Sequence, residues 1–276
     1  MSPEKAAPTL AGAVAARLLD RPLAALAWLL LERGVPVLVA GRGPAVPGAL
    51  ADALGGALPP ERRPAAGGGG ERLVRVAGTL SADSPPGVLR AALAATTARS
   101  GLVATVEAGD LAGVLTVLAR QGLADDEATF LGCVLVLGSA AGDRGRAADV
   151  HEGGPGPAAG GSERVVAAHY LRPVVRDAGG HPRRLGPAVL ATWDPQGDRW
   201  EDFSWGVVPD LAERCRMAPR DFEVERGRRA ALLGGIGGPL GTAGGPSGIA
   251  RGASERPRPA PPTAPARRTT ARRPAG

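Results

Sequence analysis

The stretch Val37-Leu-Val-Ala-Gly-Arg-Gly-Pro-Ala-Val-Pro-Gly-Ala-Leu50 decides how this chain is read. It opens inside a short apolar run, residues 35–40, which ends at a glycine. Such a run predicts a buried strand. A Gly/Pro turn follows, and then a helix over residues 47–58. Strand, Gly-rich turn and helix together form the layout of a phosphate-binding loop. That chemistry needs backbone N–H groups around the phosphates, a lysine reaching the β/γ-phosphates and a hydroxyl on Mg²⁺. The layout is present here and the chemical groups are not. Counted from Gly43 to Gly48, the lysine position is Ala49 and the hydroxyl position is Leu50. Anchored on the strand and helix without gaps, the positions are Pro47 and Gly48. Either register fails, because Lys5 is the only lysine in the chain. Pro44 and Pro47 also remove two backbone donors from the cradle. Arg42 carries positive charge, but on the wrong side of the turn. By position, the degenerate loop comprises Gly41, Gly43, Pro47, Gly48 and Ala49.

Outward from this stretch, strands and helices alternate. Residues 10–19 and 23–32 read as helices, with Pro22 suited to a first turn. Strands are predicted at 72–77, 101–106 and 133–137. Helices are predicted at 87–99, at 110–121 with Asp110 as N-cap, and at 125–131. The alternation implies crossover connections and a mostly parallel sheet covered on both faces. Beyond residue 162 the pattern becomes that of an antiparallel meander, with strands at 164–175, 188–193 and 199–205. Turn signals lie at 177–180 and 194–197. Two helices, 208–215 and 219–233, close the fold.

The expected organisation is an α/β core over 1–138 with a flexible loop at 59–70, then a disordered linker at 139–162. The meander and its helices, packed on the core, occupy 163–233. A disordered Gly/Pro/Arg-rich tail fills 234–276. The linker and tail are too poor in large apolar side chains to offset an ordering cost of about 1–2 kcal/mol per residue.

Charge follows the same division. The chain of 276 residues has 33 basic and 27 acidic residues, a net +6. Residues 241–276 contain seven arginines and one acid, so the remainder balances at 26 of each. A basic face on the folded part is therefore not implied by the high pI. No apolar run approaches the ~20 residues that span a bilayer. The N-terminus lacks a basic-then-apolar export pattern. Cys133 and Cys215 cannot form a disulfide framework and read as small buried residues in a reducing compartment.

Several segments together resemble the type II/IV secretion and pilus-assembly ATPases. Leu23-Ala-Ala-Leu-Ala-Trp-Leu-Leu-Leu-Glu-Arg-Gly-Val-Pro-Val-Leu-Val-Ala-Gly41 is similar to the segment leading into that family's phosphate loop. Gly101-Leu-Val-Ala-Thr-Val-Glu-Ala108 resembles its histidine box, G-x-x-A-T-x-H-A, with Glu107 at the histidine position. Leu73-Val-Arg-Val-Ala-Gly-Thr-Leu80 resembles the strand ending in Gly-Glu, with Thr79 at the catalytic glutamate position. The helices and strand within 111–137 and the meander motifs Ala191-Thr-Trp-Asp194 and Phe203-Ser-Trp-Gly206 extend the likeness.

The resemblance implies a P-loop NTPase-like fold whose family uses ATP and Mg²⁺. It implies a cytoplasmic protein at the inner face of a membrane assembly, in a homo- or hetero-oligomer with an ATPase paralogue or secretion and pilus components. The lysine, the Mg²⁺ hydroxyl, the catalytic glutamate and the box histidine are all replaced. With positioning and electrostatics supplying nearly all of phosphoryl transfer, the implied state is a fold that has lost hydrolysis. Nucleotide binding at the helix N-terminus, residues 46–49, is the capacity it would retain. The alternative expectation lies in the tail. Arginines within 251–273 and the proline run at 257–262 suit nucleic acid or an anionic membrane surface.

Other constellations carry less. His169 reads as a packed strand residue, His151 and His181 as loop residues, and no zinc spacing exists. Glu201-Asp202 reads as a solvated strand edge, and the mixed charges of 206–228 as an ordinary solvent face. Six of the eight aromatic residues fall in 170–222, which reads as core.

Overall fold

In the computed structural model, β1 (Val37–Gly41) runs through the interior of a seven-stranded sheet ordered β2-β3-β1-β4-β5-β8-β9. The structure describes residues 7–63, 73–96, 100–139, 163–176, 179, 181–183 and 185–235. They belong to one folded unit, and Leu240–Gly276 lies outside them. β2 (Val74–Leu80), β3 (Leu102–Glu107), β1 and β4 (Cys133–Ser139) are parallel. β5 (Glu163–Tyr170), β8 (Ala188–Asp194) and β9 (Arg199–Asp202) are antiparallel. The meander therefore continues the parallel sheet through the β4–β5 pairing, where Cys133 faces Tyr170 and Val134 faces His169. A separate two-residue hairpin joins β6 (Val175–Arg176) to β7 (Pro182–Arg183).

Every residue of β1 is buried, as a strand covered on both faces requires. Its side chains alternate between two cores. Val37 and Val39 join one with α1 (Leu10–Ala15), α2 (Arg21–Glu32), α3 (Ala45–Gly56), α7 (Val208–Arg214) and α8 (Pro219–Gly235). Leu38 and Ala40 join the other with α4 (Val88–Ala94), α5 (Leu111–Arg120) and α6 (Asp125–Ala128). Helix starts follow local chemistry. Asp20 caps α2 by accepting from the Leu23 N–H at 2.9 Å, and Asp110 caps α5 by accepting from the Gly113 N–H at 2.7 Å. α1 stops at residue 15, short of the predicted 19, because Arg17 turns left-handed at φ 57°.

The connections explain where a site belongs. β1 reaches β2 through α3 on one face, while β3 reaches β4 through α5 and α6 on the other. β1 and β3 are neighbours, so their chains part over opposite faces at the carboxyl ends. This divergence creates the crevice where open α/β sheets place ligands.

Several segment boundaries differ from expectation. The stretch predicted as flexible from 59 begins with a 3-10 turn, Pro60–Arg62. Arg62 donates to the Glu32 carbonyl and Arg63 to the Leu58 carbonyl at 2.9 Å, which ties the turn to the helices beneath. Gly138, beyond the predicted strand end at 137, and Ser139, read as linker, extend β4 and pair with Arg164 and Glu163. Gly234 and Gly235, read as tail, complete α8, and Gly234 lies directly against Arg21. The strand predicted over 164–175 breaks after Tyr170, and the one over 199–205 ends at Asp202. There the Asp202 carboxylate accepts from the Ser204 N–H at 2.8 Å and hydroxyl at 2.6 Å, turning the chain into a 3-10 segment, Ser204–Val207.

The mixed-charge stretch 206–228, read as a solvent face, is corrected at Arg226, and Arg229 just beyond it behaves alike. Arg226 and Arg229 are buried, at 8% and 3% exposure. Arg226 pairs with Asp202 and donates to the Ser204 hydroxyl at 2.7 Å. Arg229 bridges Glu225 at 2.9 Å and Glu32 at 2.8 Å, with its guanidinium 4.6 Å from the centre of the Trp28 ring. These arginines fasten α8 to α2 and to the β9 end. The Glu201-Asp202 pair is accordingly divided: Glu201 faces solvent and Asp202 anchors a buried cation.

Candidate functional site

The carboxyl ends of β1, β2 and β3 line up. Gly41 is the register partner of Glu107, and Thr79 is the partner of Thr105 two residues earlier on β3. The sheet thus brings together the loop positions Gly41 and Gly43 and the positions Thr79 and Glu107.

The loop itself is short. Only residues 42–44 lie between the end of β1 and the start of α3. Pro44 is the helix N-cap, in a helical conformation and without a side-chain cap bond. α3 therefore begins two residues before the predicted Pro47, and the turn has no length left to curl around a phosphate. Pro47 is buried, and its ring stands over the end of β1. A Cβ on Gly41 would lie 2.6 Å from Pro47 Cγ. The glycine is retained by close approach of that ring, with no unusual φ required. Of the backbone groups at the helix start, Pro44 and Pro47 have no N–H, and the Gly48 N–H donates to the Pro44 carbonyl at 3.0 Å. Ala49 is exposed and offers only a methyl group.

Arg42 leaves the loop toward β3 rather than over the helix start. A Cβ added at Gly109 would meet Arg42 Nε at 2.7 Å, so the arginine lies against the Gly109 backbone. The Ala108 N–H donates to the Gly41 carbonyl at 3.2 Å and closes the end of the β1–β3 ladder. Glu107 is exposed beside it. This Arg42–Gly109 contact was not legible in the sequence, since nothing local couples positions 67 residues apart.

Thr79 is stapled inward. The Thr105 hydroxyl, buried at 5% exposure, hydrogen-bonds the Thr79 hydroxyl at 3.1 Å and donates to the Gly78 carbonyl at 3.1 Å. Gly78 has φ 73°, and the β2–β3 register shifts between Arg75 and Thr79. A β-bulge thus carries Thr79 to its place, a device common beside functional sites. A threonine held this way has no carboxylate with which to orient a water.

The residues present do not fit an Mg²⁺–nucleotide complex. The Pro47 ring packs against Gly41 at the strand end, no lysine lies among the described residues, and positions 49 and 50 offer no hydroxyl. Among the described residues, no group of three or more His, Cys, Asp or Glu side chains is placed to hold a metal ion. His169 is partly buried opposite Val134, and burial lowers its pKa from the usual imidazole value. His151 lies outside the described residues. Cys133 and Cys215 are buried free thiols, each pushed up to about 12 by desolvation. No helix among the described residues is long and apolar enough to cross a membrane.

Compared with models of known protein families, the chain matches none. Compared with curated proteins, it matches none either.

Proposed function

We propose that this chain is a catalytically silent relative of the secretion and pilus-assembly ATPases, serving as a structural or regulatory subunit of an oligomer. One observation carries the reading. The loop positions are held at the carboxyl end of a parallel sheet, between strands whose connections part, yet the Pro47 ring packs on Gly41 where a phosphate loop would need open backbone donors. The ordered succession of strands bearing Gly41, Thr79 and Glu107 supports the likeness. The chemistry at each position supports the loss of hydrolysis. A subunit of this kind keeps the shape that packs against an active paralogue and contributes no turnover. The direct test is phosphate release from Mg-ATP by the purified full chain. Release at the rate of a protein-free blank is expected. Mg²⁺-dependent release that Glu107→Gln abolishes overturns the reading.

A second reading rests on the charge arithmetic. Seven arginines against one acid in residues 241–276 suit nucleic acid or an anionic membrane surface. Retention on heparin or DNA should fall when 241–276 is deleted, and unchanged retention refutes this role for the tail.

A further inference from the structure

At the opposite end of the sheet from the degenerate loop, the amino ends of β1 and β4 open onto a cleft of about 410 Å³. This is within the size range of small-ligand sites. Four arginines line it: Arg33, Arg90, Arg214 and Arg216. Arg90 is committed to Glu127, at 2.6 Å. The other three have no carboxylate partner among the described residues. Arg214 is aimed rather than free. Its guanidinium donates to the carbonyls of Thr129 at 2.9 Å, Leu171 at 3.3 Å and Phe130. These neutral acceptors fix its orientation and leave its charge uncancelled.

Two further features describe the cleft. Arg216 adopts the left-handed region at φ 55°, at the C-terminal turn of α7. Its N–H donates to the Glu213 carbonyl at 2.9 Å in the position that glycine usually fills. Arg17 ends α1 in the same way, at φ 57°, so this turn positions Arg216 at the cleft without singling it out. At the rim, Phe130 is 66% exposed, an aromatic ring in contact with solvent beside the cations.

We propose that this cleft binds a phosphorylated small ligand with a flat aromatic group, of the class of a nucleoside diphosphate. The phosphates lie against the forks of Arg33 and Arg216, with the carbonyl-bound Arg214 adding its charge behind them, and the base stacks on Phe130. Arginine is the side chain suited to phosphate through its forked donors, and aromatic rings accept any base face. No Mg²⁺ is needed, because the guanidinium groups supply the countercharge.

The competing account is that Arg33 and Arg216 only answer the negative ends of α2 and α7. Calorimetric titration of the full chain with ADP and with pyrophosphate, both without Mg²⁺, separates the two. ADP should bind roughly tenfold more tightly than pyrophosphate, and Phe130→Ala should erase that difference while leaving pyrophosphate unchanged. The double variant Arg33→Gln, Arg216→Gln should weaken both ligands by roughly tenfold per arginine removed. Both side chains are exposed, so the fold is retained, and the tail, identical in every variant, contributes only a constant background. Three outcomes overturn the proposal. The double variant keeps full affinity for both ligands, or it lowers Tm with ADP affinity unchanged, or Arg42→Gln removes binding and so places the anion at the other end of the sheet. None of these involves turnover, so a failure here leaves the reading of a silent ATPase relative standing.

Discussion

The packing of Pro47 on Gly41 yields the sharpest test of how the strand end is filled. In Gly41→Ala, the new Cβ would stand 2.6 Å from Pro47 Cγ, 3.5 Å from its Cδ and 3.4 Å from Leu137 Cβ. The last two distances are ordinary contacts, so the conflict rests on one ring carbon. Gly41 is fully within β1 and buried, and Pro47 is held by α3, so neither can retreat freely. Overpacking of this kind costs about 2 kcal/mol. Pro47→Ala alone removes two ring methylenes, at about 0.8 kcal/mol each, for about 1.6 kcal/mol. In the double variant the clash is gone, so the total should stay near about 1.6 kcal/mol instead of summing. The expected coupling is therefore about 2 kcal/mol, well above the scatter of independent sites. Urea unfolding of the four proteins measures it, and in thermal unfolding Gly41→Ala should lower Tm by about 4–8 °C. A Gly41→Ala protein as stable as the parent would refute the reasoning, and so would strict additivity. Either result means the ring does not fill the strand end.

Three other outcomes are expected. Hydrogen bonding from Arg228, opposed in part by burial and aided by Arg229, holds the Glu225 carboxyl down to about 2. A depressed carboxylate pKa stabilises the fold above its unfolded value and ceases to do so as pH falls. Tm should therefore drop between about pH 4.5 and pH 2, with a shallower drop in Glu225→Gln; identical acid profiles count against the network. Thr105→Val removes the hydroxyl that holds the Gly78–Thr79 bulge and should cost about 1–2 kcal/mol in urea unfolding, where no change would mean the bulge holds itself. Cys133 and Cys215, buried and pushed up to about 12, should resist a disulfide-exchange reagent at pH 8 until the chain unfolds. Rapid labelling of the native protein would contradict their burial.

Much of the parallel half was legible because local pattern and tertiary role agree there. The apolar run at 35–40 reads as a two-face-covered strand, and β1 is buried throughout. Asp110 reads as an N-cap, and its carboxylate takes the Gly113 N–H. The missing lysine and hydroxyl are facts of composition, visible without coordinates. The α8 arginines were less legible. Arg226 and Arg229 have the spacing of a solvent face, yet partners far away in sequence bury them, through Asp202 and Glu32. Desolvating a guanidinium becomes tolerable only when a carboxylate is delivered by another element, and periodicity contains no trace of that delivery.

The sequence by itself therefore determined the α/β character, the alternation of strands and helices, the charge balance of the folded part and the absence of the phosphate-loop cation. These follow from side-chain chemistry and from periods of two and 3.6 residues, which are local. Tertiary structure alone decided that the meander extends the same sheet, that Gly41 stands beside Glu107, and that the Pro47 ring packs on Gly41. It alone gathered Arg33, Arg214 and Arg216 around one cleft. Strand order and the meeting of distant side chains are set by packing two cores at once, and no short window of residues carries that information.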